Sequence, residues 1–290
     1  MSTEARLAVS KTYKLYIGGA FPRSESGRSY PVHDPKGNFL ANAAQASRKD
    51  LREAVVAARK AFPGWSGATA YNRGQVLYRV AELMEGRRDQ FVAEVAVGEG
   101  VPVRRAQSIV ATAIDRWVWY AGWTDKIATV LGAANPVAGP YFSFTTPEPT
   151  GVVGLFAPSA SSLLGLVSVV APALAAGNTT VVVSSKDRPL PAITLSEVLA
   201  TSDVPGGVVN VLTGNTGELA PWLASHADVN AIDLTGAPSV LVTELERAAA
   251  GTVKRVLRPN SADQDWTRTP DIRRLRAFTE AKTVWHPMGV

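Results

Sequence analysis

The chain has 290 residues, 46% of them hydrophobic and 19% charged. That is enough apolar material for one large or two modest domains, and it excludes a disordered chain. The net charge of +5 comes from basic residues scattered among acidic ones, a pattern that reads as a solvated surface and not as a nucleic-acid-binding patch. Cysteine is absent and the three histidines, His33, His226 and His286, lie far apart. Disulfides, thiolate metal centres and a local zinc cluster are thereby excluded, and no metal is expected.

The first residues, Met1 to Arg6, lack the apolar stretch and cleavage site of a secretory signal. The longest apolar run, Leu163 to Ala176, is shorter than the ~18 to 20 residues that span a bilayer. A soluble, cytoplasmic protein without membrane contact is the expectation. Residues 14–45 alternate apolar runs with turn residues, Leu15-Tyr16-Ile17 before Gly18-Gly19 and Tyr30-Pro31-Val32 before Pro35 and Gly37, which predicts short strands or extended arms. Ser47 and Asp50 form an acidic variant of a capping box ahead of Leu51, Val55, Ala58 and Phe62 at helical spacing. Two further helices are expected. One presents Val76, Val80, Leu83 and Met84; the other, after Pro102, presents Val110, Ile114, Trp117 and Ala121. The aromatic cluster Trp117 to Trp123 is read as packing and not as a ligand box.

From Gly151 the pattern changes to alternating strands and helices, the signature of a parallel sheet with crossover helices. Strands are predicted at Val152 to Phe156, Thr179 to Val183, Val208 to Leu212, Asn230 to Leu234 and Lys254 to Leu257. The helix Leu163 to Ala176 ends at Gly177-Asn178, a favourable left-handed cap. Pro189 and Pro191 lead into a second crossover helix, and Thr213 to Gly217 opens a third. Arg258 to Pro270 reads as a polar linker, followed by a helix near Asp271 to Phe278 and an extended piece, Thr283 to His286.

Several of these stretches resemble the NAD(P)-dependent aldehyde dehydrogenase superfamily. They are Gly151-Val152-Val153-Gly154, the run from Ala171 to Thr179 (Ala-Pro-Ala-Leu-Ala-Ala-Gly-Asn-Thr), Gly207 to Val211 and Leu234-Thr235-Gly236. Phe62 to Trp65 and Tyr120 to Trp123 are similar to the family's N-terminal helices, and Phe278 to Pro287 to its C-terminal strand. The resemblance implies an α/β fold: a Rossmann-like, mostly parallel sheet with N-terminal helices and extended oligomerisation arms. Residues 1–150 would be an arm and helices packing on the cofactor domain, 151–258 a dinucleotide-binding-type domain, and 259–290 a linker and oligomerisation tail.

In that family a cysteine attacks the aldehyde, an asparagine amide and a backbone N–H hold the oxyanion, and a glutamate activates water. Here the loop that would read Pro-Trp-Asn-Phe-Pro is Pro158 to Ser162, with Ala160 in place of the oxyanion amide. The Glu-Leu-Gly-Gly motif is matched by Pro259-Asn260-Ser261-Ala262, so Pro259 stands where the base would. The family's catalytic domain is missing between that point and the tail. The ribose-binding Lys-Pro-Ser-Glu motif corresponds to Val183 to Lys186, which replaces a carboxylate acceptor by a cation. Ala237 and Leu241 replace a serine and a glycine near the pyrophosphate. No catalytic residue is assigned and no cofactor is fixed. NAD or NADP, if bound, would meet Phe156, Pro158, Lys186, Gly214 and Gly236, with helix N-termini facing the phosphates. Ser159, Ser161 and Ser162, or Ser184, Ser185 and Lys186, are substitute nucleophiles, but no histidine is near the former and a small-residue loop accounts for the latter.

The expected function is therefore a catalytically inactive structural or regulatory subunit. It would pair with a full-length aldehyde dehydrogenase, whose catalytic domain would accept the C-terminal strand. The alternatives are an NAD(P)-dependent oxidoreductase acting on aldehydes and a nucleotide-binding module without catalysis.

Overall fold

The computed structural model describes residues 11–259 and 264–289; Asn260, Ser261 and Ala262 of the degenerate motif lie outside the described residues. Three short strands come first, β1 (Thr12–Tyr13), β2 (Ser29–His33) and β3 (Phe39–Ala44), with β3 in the middle of their sheet. The run Leu15 to Ile17 is not a strand. Tyr16 instead exchanges two backbone hydrogen bonds with Val211, of 2.9 and 2.7 Å, covering part of the edge of the main sheet.

Helix α1 (Arg48–Gly67) starts on the predicted box: Ser47 Oγ accepts from the amides of Lys49 and Asp50, while the Ser47 amide donates to Asp50 Oδ2 at 2.7 Å. Then come α2 (Ala70–Gly86), α3 (Arg88–Glu99), α4 (Val103–Ala121) and the single turn α5 (Ile127–Leu131). The sequence pattern predicts two helices after α1; α3 and α5 are additional. The break before α3 falls at Arg87, where no proline marks it, and Phe91, Val92 and Val95 form its buried face. On α2 the buried stripe is Leu77, Val80, Ala81 and Met84, with Val76 and Leu83 on its flanks. Trp117 is fully buried, and Trp119 stacks on Trp123 with ring centroids 5.3 Å apart. The aromatic cluster is packing.

After β4 (Ala133–Asn135) and β5 (Tyr141–Pro149) the chain enters the main sheet. Its elements are β6 (Val152–Phe156), α6 (Leu164–Ala175), β7 (Thr179–Val183), α7 (Leu190–Leu199), β8 (Val209–Leu212), α8 (Thr216–Ser225), β9 (Ala231–Asp233), a 3-10 turn at Ser239–Leu241, α9 (Val242–Ala250) and β10 (Arg255–Leu257). All five strands are parallel, in the order β10-β9-β6-β7-β8. Both faces are covered, as a parallel sheet requires. Val153, Leu155 and Val182 join the apolar layer of α4, α6 and α7, while Val152, Phe156, Val181 and Val183 join that of α1, α8 and α9. Every residue of α6 is buried, because the helix is held between the sheet and α4. It ends as predicted: Gly177 has φ +90°, its amide reaches Leu174 O and the Asn178 amide reaches Ala173 O. Among the described residues no helix is long and apolar enough to cross a membrane.

The tail forms α10 (Arg273–Ala277) and β11 (Thr279–Pro287). The strand is longer than the expected Thr283 to His286, and its antiparallel partner is β5 of the same chain, in a sheet ordered β11-β5-β4. Pro147 and Pro149 disguise β5 in the sequence. Thr150 donates to Phe278 O and Met288 to Pro140 O, so even-numbered β11 residues bond to β5, and both prolines fall at positions needing no amide toward β11. By the same alternation Ala281, Thr283 and Trp285 turn their amides to the free edge. Two buried polar ties fix the tail to the sheet. Asn178 Nδ2 donates to Phe278 O at 2.9 Å while its Oδ1 accepts from the Gly151 amide. Arg274 Nε donates to Asp233 Oδ2 at 3.1 Å, with the two side chains 10% and 0% exposed.

Arg274→Met strands the Asp233 carboxylate, and chemical denaturation should show a loss of roughly 3 to 5 kcal/mol. The double variant with Asp233→Leu should lose less than the single one. A second prediction concerns Glu94, whose Oε1 accepts from Tyr13 and Thr194 at 2.9 and 2.7 Å while Oε2 is buried without a partner. Burial pushes its carboxyl above the usual value near 4.5, so the folded state holds this proton more tightly than the unfolded state does. Its contribution to stability is complete below that value and is lost as pH rises through the raised one. Unfolding curves of Glu94→Gln should be flatter across this range than those of the wild type.

Candidate functional site

Strand order reverses between β6 and β9, with β7 and β8 on one side and β10 on the other. In open α/β sheets the crevice at the carboxyl ends of strands flanking such a point is where ligands bind. A cavity of about 790 Å³ opens there, walled by the Pro158–Ser161 loop, the turn from Thr235 to Pro238 and the segment from Gln264 to Thr267.

The structure brings Pro158, Ala160 and Gly236 together in this cleft. Ala160 is exposed, and its methyl group has no hydrogen to donate to an oxyanion. Pro158 packs on the first turn of α6, where a side chain at Gly165 would meet its Cγ at 3.1 Å. Gly236 presses so closely on the end of β6 that a Cβ would land on the carbonyl groups of Phe156 and Ala157. Packing accounts for both. The other sequence-derived positions lie elsewhere. Phe156 is fully buried in the layer facing α8, and Gly214, at φ +135°, lets the Gln45-Ala46 backbone approach. Lys186 is exposed and outside the cleft, and Pro259 is half-buried beyond β10, also outside it.

Two of the three loop serines have hydroxyls committed to local structure. Ser161 Oγ accepts from the Gly165 amide at 2.9 Å, and Ser162 donates from both its amide and its hydroxyl to Glu99 Oε1, each at 2.7 Å. Arg188 donates to Ser159 O at 3.0 Å, closing the loop from the β7 side. Ser184 Oγ is buried without a partner, and Ser185 Oγ accepts from the Arg188 amide. The hydrogen bonds of the described residues include none between Lys186 and either serine. None of the three histidines lines the cleft, and no acidic or histidine cluster among the described residues could hold a metal.

Sequence reasoning missed Glu99, Arg105, Asp265 and Trp266, all of which line the cleft. Glu99 sits on the unread helix α3, and Asp265 and Trp266 sit in the segment read as a linker. Thr267 donates to Asp265 Oδ1 from its amide and its hydroxyl, at 2.9 and 2.6 Å, which holds that carboxyl below its ordinary range and keeps it ionised. It cannot serve as a general acid near neutral pH. Of the residues matched to the ribose motif, Val183 is in the core and Lys186 faces solvent. Among the described residues the arrangement offers volume and hydrogen bonds without a paired nucleophile and base.

Comparison with known proteins agrees with this architecture. The profile described as "Aldehyde dehydrogenase family" matches residues 21–259. The chain is 35% identical over 251 residues to retinal dehydrogenase 2 of Gallus gallus, covering 85% of this chain and 48% of that protein. It is 34% identical over 247 residues to the mitochondrial benzaldehyde dehydrogenase of Antirrhinum majus, covering 84% and 46%. Among solved structures, HpcC from Thermus thermophilus superposes with a TM-score of 0.81 at 31% identity, over 86% of this chain and 48% of that one. The NAD+ complex of aldehyde dehydrogenase from Bacillus cereus gives 0.80 at 28% identity, over 86% and 50%. This chain thus spans about half the length of these relatives, and it belongs to the aldehyde dehydrogenase family.

Proposed function

We propose that this chain is a catalytically silent family member that associates with a full-length aldehyde dehydrogenase as a structural or regulatory subunit. The observation that carries this reading is the cleft at the strand-order reversal. Ala160 presents a methyl group to this cleft, and no thiol exists in the sequence to attack a carbonyl. Without a nucleophile, an oxyanion donor and a base, oxidation of an aldehyde has no starting point.

Association is supported by the arm. Strand β11 uses one edge on β5 and leaves the amides of Ala281, Thr283 and Trp285 on the other, a row of backbone donors suited to strand addition. Trp285 is 58% exposed beside them. A partner supplying an unpaired strand edge would satisfy these groups.

Co-expressed with a full-length aldehyde dehydrogenase, the chain is expected to co-purify as a mixed oligomer, read by native mass spectrometry. Thr283→Pro, which removes an outward amide and spares the pairing with β5, should abolish the mixed species while leaving the circular dichroism of the chain intact. The purified chain should form no NADH from NAD and aldehyde and should give no binding heat with NAD or NADP. Turnover by the chain alone would establish an oxidoreductase and overturn this reading; a monomer indifferent to such relatives, with nucleotide heat, would establish the nucleotide-binding module instead.

A further inference from the structure

Behind the segment that walls the cleft lies a second cavity of about 440 Å³, between α4, α6 and the residues leading into α10. Four arginines line it, Arg116, Arg268, Arg273 and Arg274. Arg274 is neutralised by Asp233, and Arg268 is paired with Asp265 at 3.7 Å. Arg116 is different. Only 6% exposed, it donates from Nη1 to Ser168 Oγ at 2.9 Å and from Nη2 to the carbonyls of Trp266 and Arg268 at 2.8 and 2.9 Å. These three oxygens fix the plane of the guanidinium without carrying charge. No carboxylate of the described residues lies within ion-pair distance of it. Asp271 also lines the cavity, where its Oδ1 accepts from the Arg273 amide, and it makes no ion pair with Arg116.

A buried cation without a counter-ion is costly, and an anion that reaches it gains in proportion. We propose that this cavity binds a small organic carboxylate, held by Arg116 as its missing counter-ion. Tyr120 lines the same wall, and burial pushes its hydroxyl up to about 12, so it remains a donor for the second carboxylate oxygen. Arg274 and Arg268 have ion-pair partners among the described residues and Arg116 has none, so a monoanion matches the single charge of Arg116. A neutral amide of the same shape would leave Arg116 as it is. Neither Ala160 nor Pro259 nor any residue of β11 lines this cavity, so the inference does not depend on how the chain associates.

The test is isothermal titration calorimetry of the full chain, at fixed ionic strength, with acetate, succinate, benzoate, benzamide and inorganic phosphate. At least one carboxylate should bind, with benzoate favoured over benzamide by about tenfold or more, the scale of a hydrogen bond to a charged group, and phosphate weaker than the best carboxylate. Arg116→Gln, which keeps amide donors toward Ser168 and Trp266, should lose the carboxylate by about tenfold and leave benzamide unchanged. Should that variant fail to fold, Tyr120→Phe is expected to weaken carboxylate binding severalfold. Absence of heat with all three carboxylates, equal affinity for benzoate and benzamide, stronger binding of phosphate, or undiminished carboxylate binding by the variants would each overturn the proposal.

Discussion

The Asp233 carboxylate, fully buried at the end of β9, is met by the guanidinium of Arg274 in the tail. Left alone at that depth, the carboxylate would cost several kcal/mol, so the carboxyl end of β9 is complete only when the tail is in place. The rest of the tail follows from this contact. Arg274 also lies 5.3 Å from the centroid of the Trp266 ring and donates to Thr235 Oγ1 at 2.8 Å. That brings the Gln264–Asp271 segment across the mouth of the sheet, where Arg116 holds it by two carbonyl groups. The next residues reach Asn178 through Phe278 O and then run antiparallel to β5.

The sheet was legible in the sequence because its strands are short, mostly apolar runs set off by turn residues such as Gly151, Gly177 and Gly207. Thr179 to Val183 coincides with β7 to the residue, and Val152 to Phe156 with β6. The capping box at Ser47 and the glycine cap at Gly177 were readable for the same reason: their chemistry is local. Helix α3 was not, since no proline marks its start, and neither was β5, whose prolines are admitted only by a partner 138 positions away at the Thr145–Thr283 contact. Of the candidate site, Pro158, Ala160 and Gly236 could be placed from their motifs. Glu99, Asp265 and Trp266 could not, because only the tertiary fold brings α3 and the polar segment to the cleft.

The cleft shows how separately a scaffold and its chemistry can be maintained. Gly236 and Pro158 persist at contacts that the strand ends demand whether or not anything binds. Ala160, exposed in the same cleft, carries no polar group. Two of the loop serines, Ser162 and Ser161, have their hydroxyls engaged by Glu99 and by the Gly165 amide.

The pairing of β5 with β11 also sets a timetable for synthesis. With 138 positions between Thr145 and Thr283, β5 leaves the ribosome on the order of ten seconds before its partner exists, at ordinary elongation rates. During that interval Phe142 and Phe144 are carried on an unmatched ribbon. A nascent chain interrupted anywhere short of the tail keeps both that ribbon and the Asp233 carboxylate unsatisfied, so quality control by chaperones and proteases would meet a clear distinction between finished and unfinished molecules.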